Sequence, residues 1–175
     1  MYQGDQCMDQ IKLPIYFIGM PLSGKTTIAK LVAKELNIPW IDLDSEIEKK
    51  AHLFIDDIFN QYGESYFRKL ETETLLNFKE HHAIISCGGG IVLNKSHKDI
   101  MNLGHIIHIM SDLDILKKRQ QSSYHRPILL KKTLDQLMDE RFLKYQDFAH
   151  IHIQNDVSIE ETVQTVITYL KENLT

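Results

Sequence analysis

An α/β fold, with a parallel sheet covered by helices on both faces, is predicted by two features of the sequence. Short apolar runs recur along the chain, and helical patterns with apolar residues three and four apart separate them. The runs are Ile15–Gly19, Ile38–Leu43, Ala83–Cys87, Ile106–Met110 and Ile151–Ile153, each rich enough in Ile, Val or aromatic residues to read as a strand. The helical patterns cover Thr26–Leu36, Glu46 to about Tyr62, Glu64–Lys79, Ser96–Leu103, Leu113–Gln121, Leu134–Asp147 and Ile159–Leu170. Polar interruptions at Gly63–Glu64, Gly88–Gly90 and Gln120–Pro127 mark the expected moving parts. Residues 1–11 are read as a flexible tail, and 12–175 as one domain.

Composition narrows the function. Twenty Lys and Arg stand against 24 Asp and Glu, a net charge of -4, so no overall basic field recruits nucleic acid. Cys7 and Cys87 lie too far apart to suggest a disulfide framework or a Cys-based zinc site. No apolar run approaches the roughly 20 residues that span a bilayer, and the opening MYQGDQCMDQ lacks the pattern of a secretion signal. The expectation is a reducing cytoplasm and no membrane partner.

Gly19-Met20-Pro21-Leu22-Ser23-Gly24-Lys25-Thr26 fits the phosphate-binding pattern G-x-x-x-x-G-K-[ST], between an apolar strand and a helix. The chemistry requires that order. Loop N–H groups and the helix N-terminus face the phosphates, Lys25 adds a full charge, and the Thr26 hydroxyl is suited to Mg²⁺. A chance glycine turn is the bland alternative. Thr27 extends the nucleotide-binding stretch. No clear strand ending in Asp follows, beyond the weak Ser111-Asp112.

The second strand ends in Asp42-Leu43-Asp44, whose carboxylates fall on one face of an extended segment. At the C-terminal edge of a parallel sheet, Asp42 is suited to supporting hydrated Mg²⁺ and Asp44 to accepting from a substrate hydroxyl. Asp44 or Ser45 is equally suited to capping the next helix. Arg68 and Glu71, three apart, make either a solvated ion pair or a guanidinium oriented for a carboxylate ligand. Gly88-Gly89-Gly90 at a strand end allows backbone N–H groups close to a ligand. Arg119, Arg126 and Arg141 are further guanidiniums for phosphate, adenine or carboxylate, or ordinary surface arginines. The nine histidines read as structural or exposed, and Trp40 as core.

Taken together, Gly19–Thr26, Asp42-x-Asp44, Phe67-Arg68-x-x-Glu71, Gly88–Gly90, Arg126-Pro127 and Arg141-x-x-x-Tyr145 resemble the shikimate kinase family in order and spacing, from about Ile15 to Leu170. The resemblance implies a three-layer, nucleoside-monophosphate-kinase-like fold with a five-stranded sheet in the order 2-3-1-4-5. It also implies a substrate-binding helical region at about 43–72 and a lid at about 120–133. The implied reaction is MgATP plus shikimate giving ADP and shikimate 3-phosphate, in aromatic amino-acid synthesis, by a monomer. The residues matching Asp44, Arg68, Gly88, Gly89, Gly90 and Arg141 would hold shikimate, and Lys25 and Arg126 would stabilise the transferred group. Thr26 would bind Mg²⁺ with Asp42 nearby, and Arg119 would pack on adenine. The sequence departs from the family where Leu22 replaces a usual glycine, Leu143 a common proline and Cys87 a threonine or serine. The rival expectations are another small kinase acting on a hydroxy acid such as gluconate, and a non-catalytic ligand-binding regulator.

Overall fold

The computed structural model describes residues 11, 14–122 and 132–174. Five parallel strands, β1 (Ile15–Ile18), β2 (Trp40–Asp42), β3 (Ile84–Ser86), β4 (His105–Met110) and β5 (Ile151–Gln154), form one sheet in the order β2-β3-β1-β4-β5. Every pairing is parallel, with Ile15 level with both Ile84 and His105. All strand C-termini therefore open on one edge.

Alternation along the strands feeds two apolar layers. Tyr16, Ile18, Ile85 and Ile106 face the layer closed by α2 (Leu43–Ala51), α3 (Ile55–Phe78), α4 (Ser96–Met101), α5 (Leu113–Gln121) and α6 (Leu134–Phe148). Ile15, Phe17, Ile84, Ile107 and Ile109 face α1 (Lys25–Glu35) and α7 (Ile159–Asn173). Ile11, the last residue of the expected tail, is buried in that second layer, so packing starts slightly earlier than the sequence suggests. The remaining tail positions, Arg126-Pro127 and most of the expected lid lie outside the described residues.

The helical region between β2 and β3 differs from expectation. The pattern from Glu46 to Tyr62 is two helices, because His52 turns left-handed (φ 53°) and ends α2. Glu48 then reaches forward to accept from the Ile55 N–H at 3.0 Å, supplying the cap that Phe54 lacks. The break expected at Gly63 is present, at φ 81° and ψ 173°, inside the run of α3. Neither Asp44 nor Ser45 caps α2. The cap is Asp42, whose Oδ1 accepts from Ser45 N at 3.1 Å, so the helix starts at Leu43 and Asp44 lies in its first turn rather than on an extended segment. Trp40 is half-buried, with its indole donating to Ser86 Oγ at 3.3 Å and Lys30 over the ring.

Phe17 is fully buried between the central strands and the α1 and α7 layer. Phe17→Ala should cost about 3–5 kcal/mol of unfolding free energy, read as a lower midpoint in urea denaturation.

Candidate active site

The phosphate loop leaves β1 and enters α1 through Gly24, which is left-handed at φ 87°. A Cβ there would come within 2.6 Å of Asn155 Nδ2, so both conformation and space require glycine. The loop carbonyls are held from behind. Asn155 donates to Ser23 O at 2.7 Å, Arg119 Nη1 to Leu22 O at 3.0 Å, and Lys25 Nζ to Met20 O at 3.4 Å. With these carbonyls engaged, the loop amides other than Ser23 N–H, which donates to Met20 O, are suited to an anion. Two further observations agree. The Ser23 hydroxyl is buried with no hydrogen-bond partner among the described residues, and the first turn of α1 holds no acid, whereas those of α2, α3, α6 and α7 do. Thr26 and Thr27 are exposed at the start of α1. Leu22 keeps a left-handed backbone (φ 68°), which costs a non-glycine residue roughly 1–2 kcal/mol, and its side chain is buried in the α6-side core.

Arg119 lies against this loop, its Nη1 and Nη2 donating to Leu22 O, to Ser111 Oγ and to Asn155 O at 2.7 Å. These bonds occupy the edge of the guanidinium, so contact with an aromatic ring would use its flat face.

The glycine triplet follows β3, and each of its members faces one polar side chain. A Cβ on Gly88 would lie 2.7 Å from Asp44 Oδ1, one on Gly89 3.2 Å from Arg141 Nη1, and one on Gly90 2.6 Å from Arg68 Nη2. A Cβ on Gly89 would also sit 3.1 Å from Pro21 Cδ of the phosphate loop. Asp44, Arg141 and Arg68 thus converge on one strand end, beside the loop. The sequence suggested glycines for backbone approach to a ligand, whereas the observed close approach is that of side chains.

Arg68 is oriented by Glu71 on the same helix, Nη1 to Oε2 at 2.8 Å, and donates to Gly90 O at 3.3 Å. Glu71 is 1% exposed, so this is not the solvated pair that spacing alone allowed. Burial pulls the Arg68 pKa down, but the Glu71 and Glu64 carboxylates outweigh it and the net direction is upward. Glu64 accepts from Arg68 Nε and Nη2 and is mostly exposed, a weak contact that an incoming carboxylate can replace. Arg141 is 5% exposed, and its Nε and Nη1 have no hydrogen-bond partner among the described residues. The Glu140 carboxylate is 3.7 Å away, too far for a hydrogen bond. A buried guanidinium with two unmatched nitrogens is costly unless an anion completes it. One turn along α6, Tyr145 donates to Gly89 O at 2.5 Å.

Asp44 is raised from 3.8 to about 6, first by burial and then by Asp42, with Lys25 opposing and Glu71 and Glu48 adding. It is poised to exchange a proton near neutral pH.

The structure therefore brings together Lys25, Asp44, Arg68, Arg141, Gly88, Gly89 and Gly90, with Thr26 and Asp42 at neighbouring element ends and Arg119 behind the loop. Arg126 lies outside the described residues. Asn155 was not anticipated; nothing local distinguishes it, since its partners are 132 residues back and seven ahead. Cys87 is buried, and burial pushes its thiol well up, while Leu143 is exposed, so neither departure from the family alters the pocket's charge. His108 and His152 face each other at 3.1 Å, and His105 packs on His150.

Comparison with known proteins follows the same line. The shikimate kinase family model matches residues 21–171. The chain belongs to the shikimate kinase family. A shikimate kinase of Staphylococcus aureus is 37% identical over 169 residues, covering 94% of this chain and 97% of the relative. The solved shikimate kinase of Aquifex aeolicus matches at a TM-score of 0.80 and 34% identity, over 92% of this chain and 98% of that one. A shikimate kinase from Acinetobacter baumannii, solved in complex with shikimate, shares the fold at a TM-score of 0.84 and 24% identity, covering 97% and 99%. Family membership makes this an ATP-dependent kinase and sets the gluconate alternative aside.

Asp44 makes a further prediction for stability. Its pKa is higher in the folded state, so any stabilisation is complete below pH 3.8 and is lost as pH rises through about 6. Asp44→Asn should then stabilise the protein by roughly 3 kcal/mol at pH 7.5, and by little at pH 4, in paired thermal melts.

Proposed function

We propose that this kinase transfers the γ-phosphoryl group of MgATP to the 3-hydroxyl of shikimate, releasing ADP and shikimate 3-phosphate. The observation that carries the reading is the glycine triplet, which sets Asp44, Arg141 and Arg68 around one cleft and places that cleft against Pro21 of the phosphate loop. Two arginine forks and a carboxylate suit a substrate with one carboxylate and several hydroxyls.

Phosphoryl transfer asks for alignment and charge stabilisation. In this reading Arg68 and Arg141 hold the substrate carboxylate, and the amides around Gly88–Gly90 approach the ring. Asp44 orients the attacking hydroxyl and takes its proton, which a pKa of about 6 allows near neutral pH. Lys25 and the loop amides hold the phosphates, Arg126 stabilises the transferred group, and a lid over 120–133 keeps water out. Arg119 packs on adenine. The Thr26 hydroxyl and the Asp42 carboxylate are hard oxygen donors, the few that Mg²⁺ takes while keeping most of its waters, and the ion neutralises phosphate charge. The chain is read as one kinase domain working as a monomer in the cytoplasm, in aromatic amino-acid synthesis. Among the described residues no helix is long and apolar enough to cross a membrane.

The test is ADP release from MgATP with and without shikimate. Turnover should depend on shikimate, and Arg68→Ala should raise its KM by about 10- to 100-fold, the loss expected for a charged hydrogen-bonding partner. Hydrolysis independent of shikimate, or no turnover, would overturn the reading. The pH profile of kcat/KM should fall on its acid side near pH 6, as Asp44 gains a proton. Near-normal turnover in Asp44→Asn would remove the base role and leave orientation alone.

A further inference from the structure

His97, on α4, is fully buried, and besides contacts with Asn94 its ring reaches the two limbs of the proposed acceptor cleft. Its Nδ1 is 2.9 Å from Ile91 O. Its Nε2 is 2.7 Å from Thr72 Oγ1 and 3.3 Å from Asn94 Nδ2. A carbonyl only accepts, so Nδ1 carries the proton. Burial lowers the pKa of the ring, the Ile91 bond opposes this and the Arg68 charge adds to it, so the imidazole is neutral with Nε2 as acceptor.

The two partners flank the substrate residues. Ile91 directly follows Gly90, the glycine against Arg68. Thr72 is one turn beyond Arg68 on α3, and its single hydroxyl proton serves either His97 Nε2 or Arg68 O, 2.9 Å away, but not both at once. The direct link between the limbs, Arg68 Nη1 to Gly90 O, is 3.3 Å long and only part-buried. Behind it the imidazole is a rigid spacer, one nitrogen toward the glycine loop and the other toward α3. An apolar side chain would fill the same space but leave Ile91 O and the Thr72 hydroxyl without their buried partner.

We propose that His97 is a positioning residue that sets the distance between the glycine triplet and α3, holding the Arg68 guanidinium against Gly90 in the geometry that receives the substrate carboxylate. The proposal rests on the shikimate reading above, and the substrate it concerns is the carboxylate-bearing acceptor, not the nucleotide.

The experiment measures KM for shikimate, KM for ATP, kcat and melting temperature in the full chain, with shikimate binding by calorimetry. The variants are His97→Leu, His97→Asn, His97→Gln and Thr72→Val. His97→Asn keeps a donor near Nδ1 for Ile91 O, and His97→Gln keeps a polar group near Nε2 for Thr72. His97→Leu should raise the KM and Kd for shikimate by about tenfold, leaving kcat and the KM for ATP within about twofold, as expected when a ground-state contact is displaced. His97→Asn and His97→Gln should fall between, and Thr72→Val should add less to His97→Leu than to wild type. Unchanged shikimate KM would overturn the proposal. So would kcat and both KM values moving together with the melting temperature, the signature of a merely structural role. If His97→Leu does not fold, the other three variants decide on the same readouts. Failure of the wild type to turn over shikimate would instead strike the functional reading, so the two failures are distinct.

Discussion

The acceptor cleft depends on three side chains sharing a space in which the backbone carries none. Asp44 comes from α2, Arg68 from α3 and Arg141 from α6, and all three close on Gly88–Gly90 at distances that a Cβ would contest. Two cations and a carboxylate brought this close are not independent. Glu71 can be buried because the Arg68 guanidinium pairs with it, whereas Asp44 remains hard to ionise because it is buried beside Asp42, although Lys25 is near. The unmatched nitrogens of Arg141 belong to the same arrangement, and they are what the proposed carboxylate-bearing substrate would complete.

The donor side is built by the opposite device. There the backbone does the binding and side chains hold it in place, with Asn155 and Arg119 engaging loop carbonyls from behind. Asn155 is itself tied to α7 by Thr162, so the far face of the sheet braces the loop. This bracing accounts for Leu22, which remains left-handed where glycine would do so freely, because its carbonyl is bonded to Arg119 and its side chain is packed.

Local signals in the chain were enough to place β1, the phosphate loop and α1, because strand period, glycine spacing and helix start all occur within a dozen residues. They also located the break at Gly63, since glycine interrupts a helical pattern whatever surrounds it. What they could not show depends on contacts across the chain. The start of α3 relies on Glu48, seven residues back, for its cap, and the choice of Asp42 over Asp44 as cap of α2 depends on where β2 stops. Asn155, Thr72 and His97 carry no motif, and their importance comes from partners on other elements. The order of the strands came from family resemblance; spacing alone did not determine it.

Trp40 is the only tryptophan in the chain, and its indole is bonded to Ser86, two residues before Gly88 and level with the end of β2 that leads to Asp44. Because an indole's emission responds to the polarity and charge beside it, and Lys30 stands over this ring, the protein carries a built-in optical reporter at the root of its acceptor cleft. Movement of the two strand ends can thus be followed by the protein's own light, without a label and without disturbing the residues that do the work.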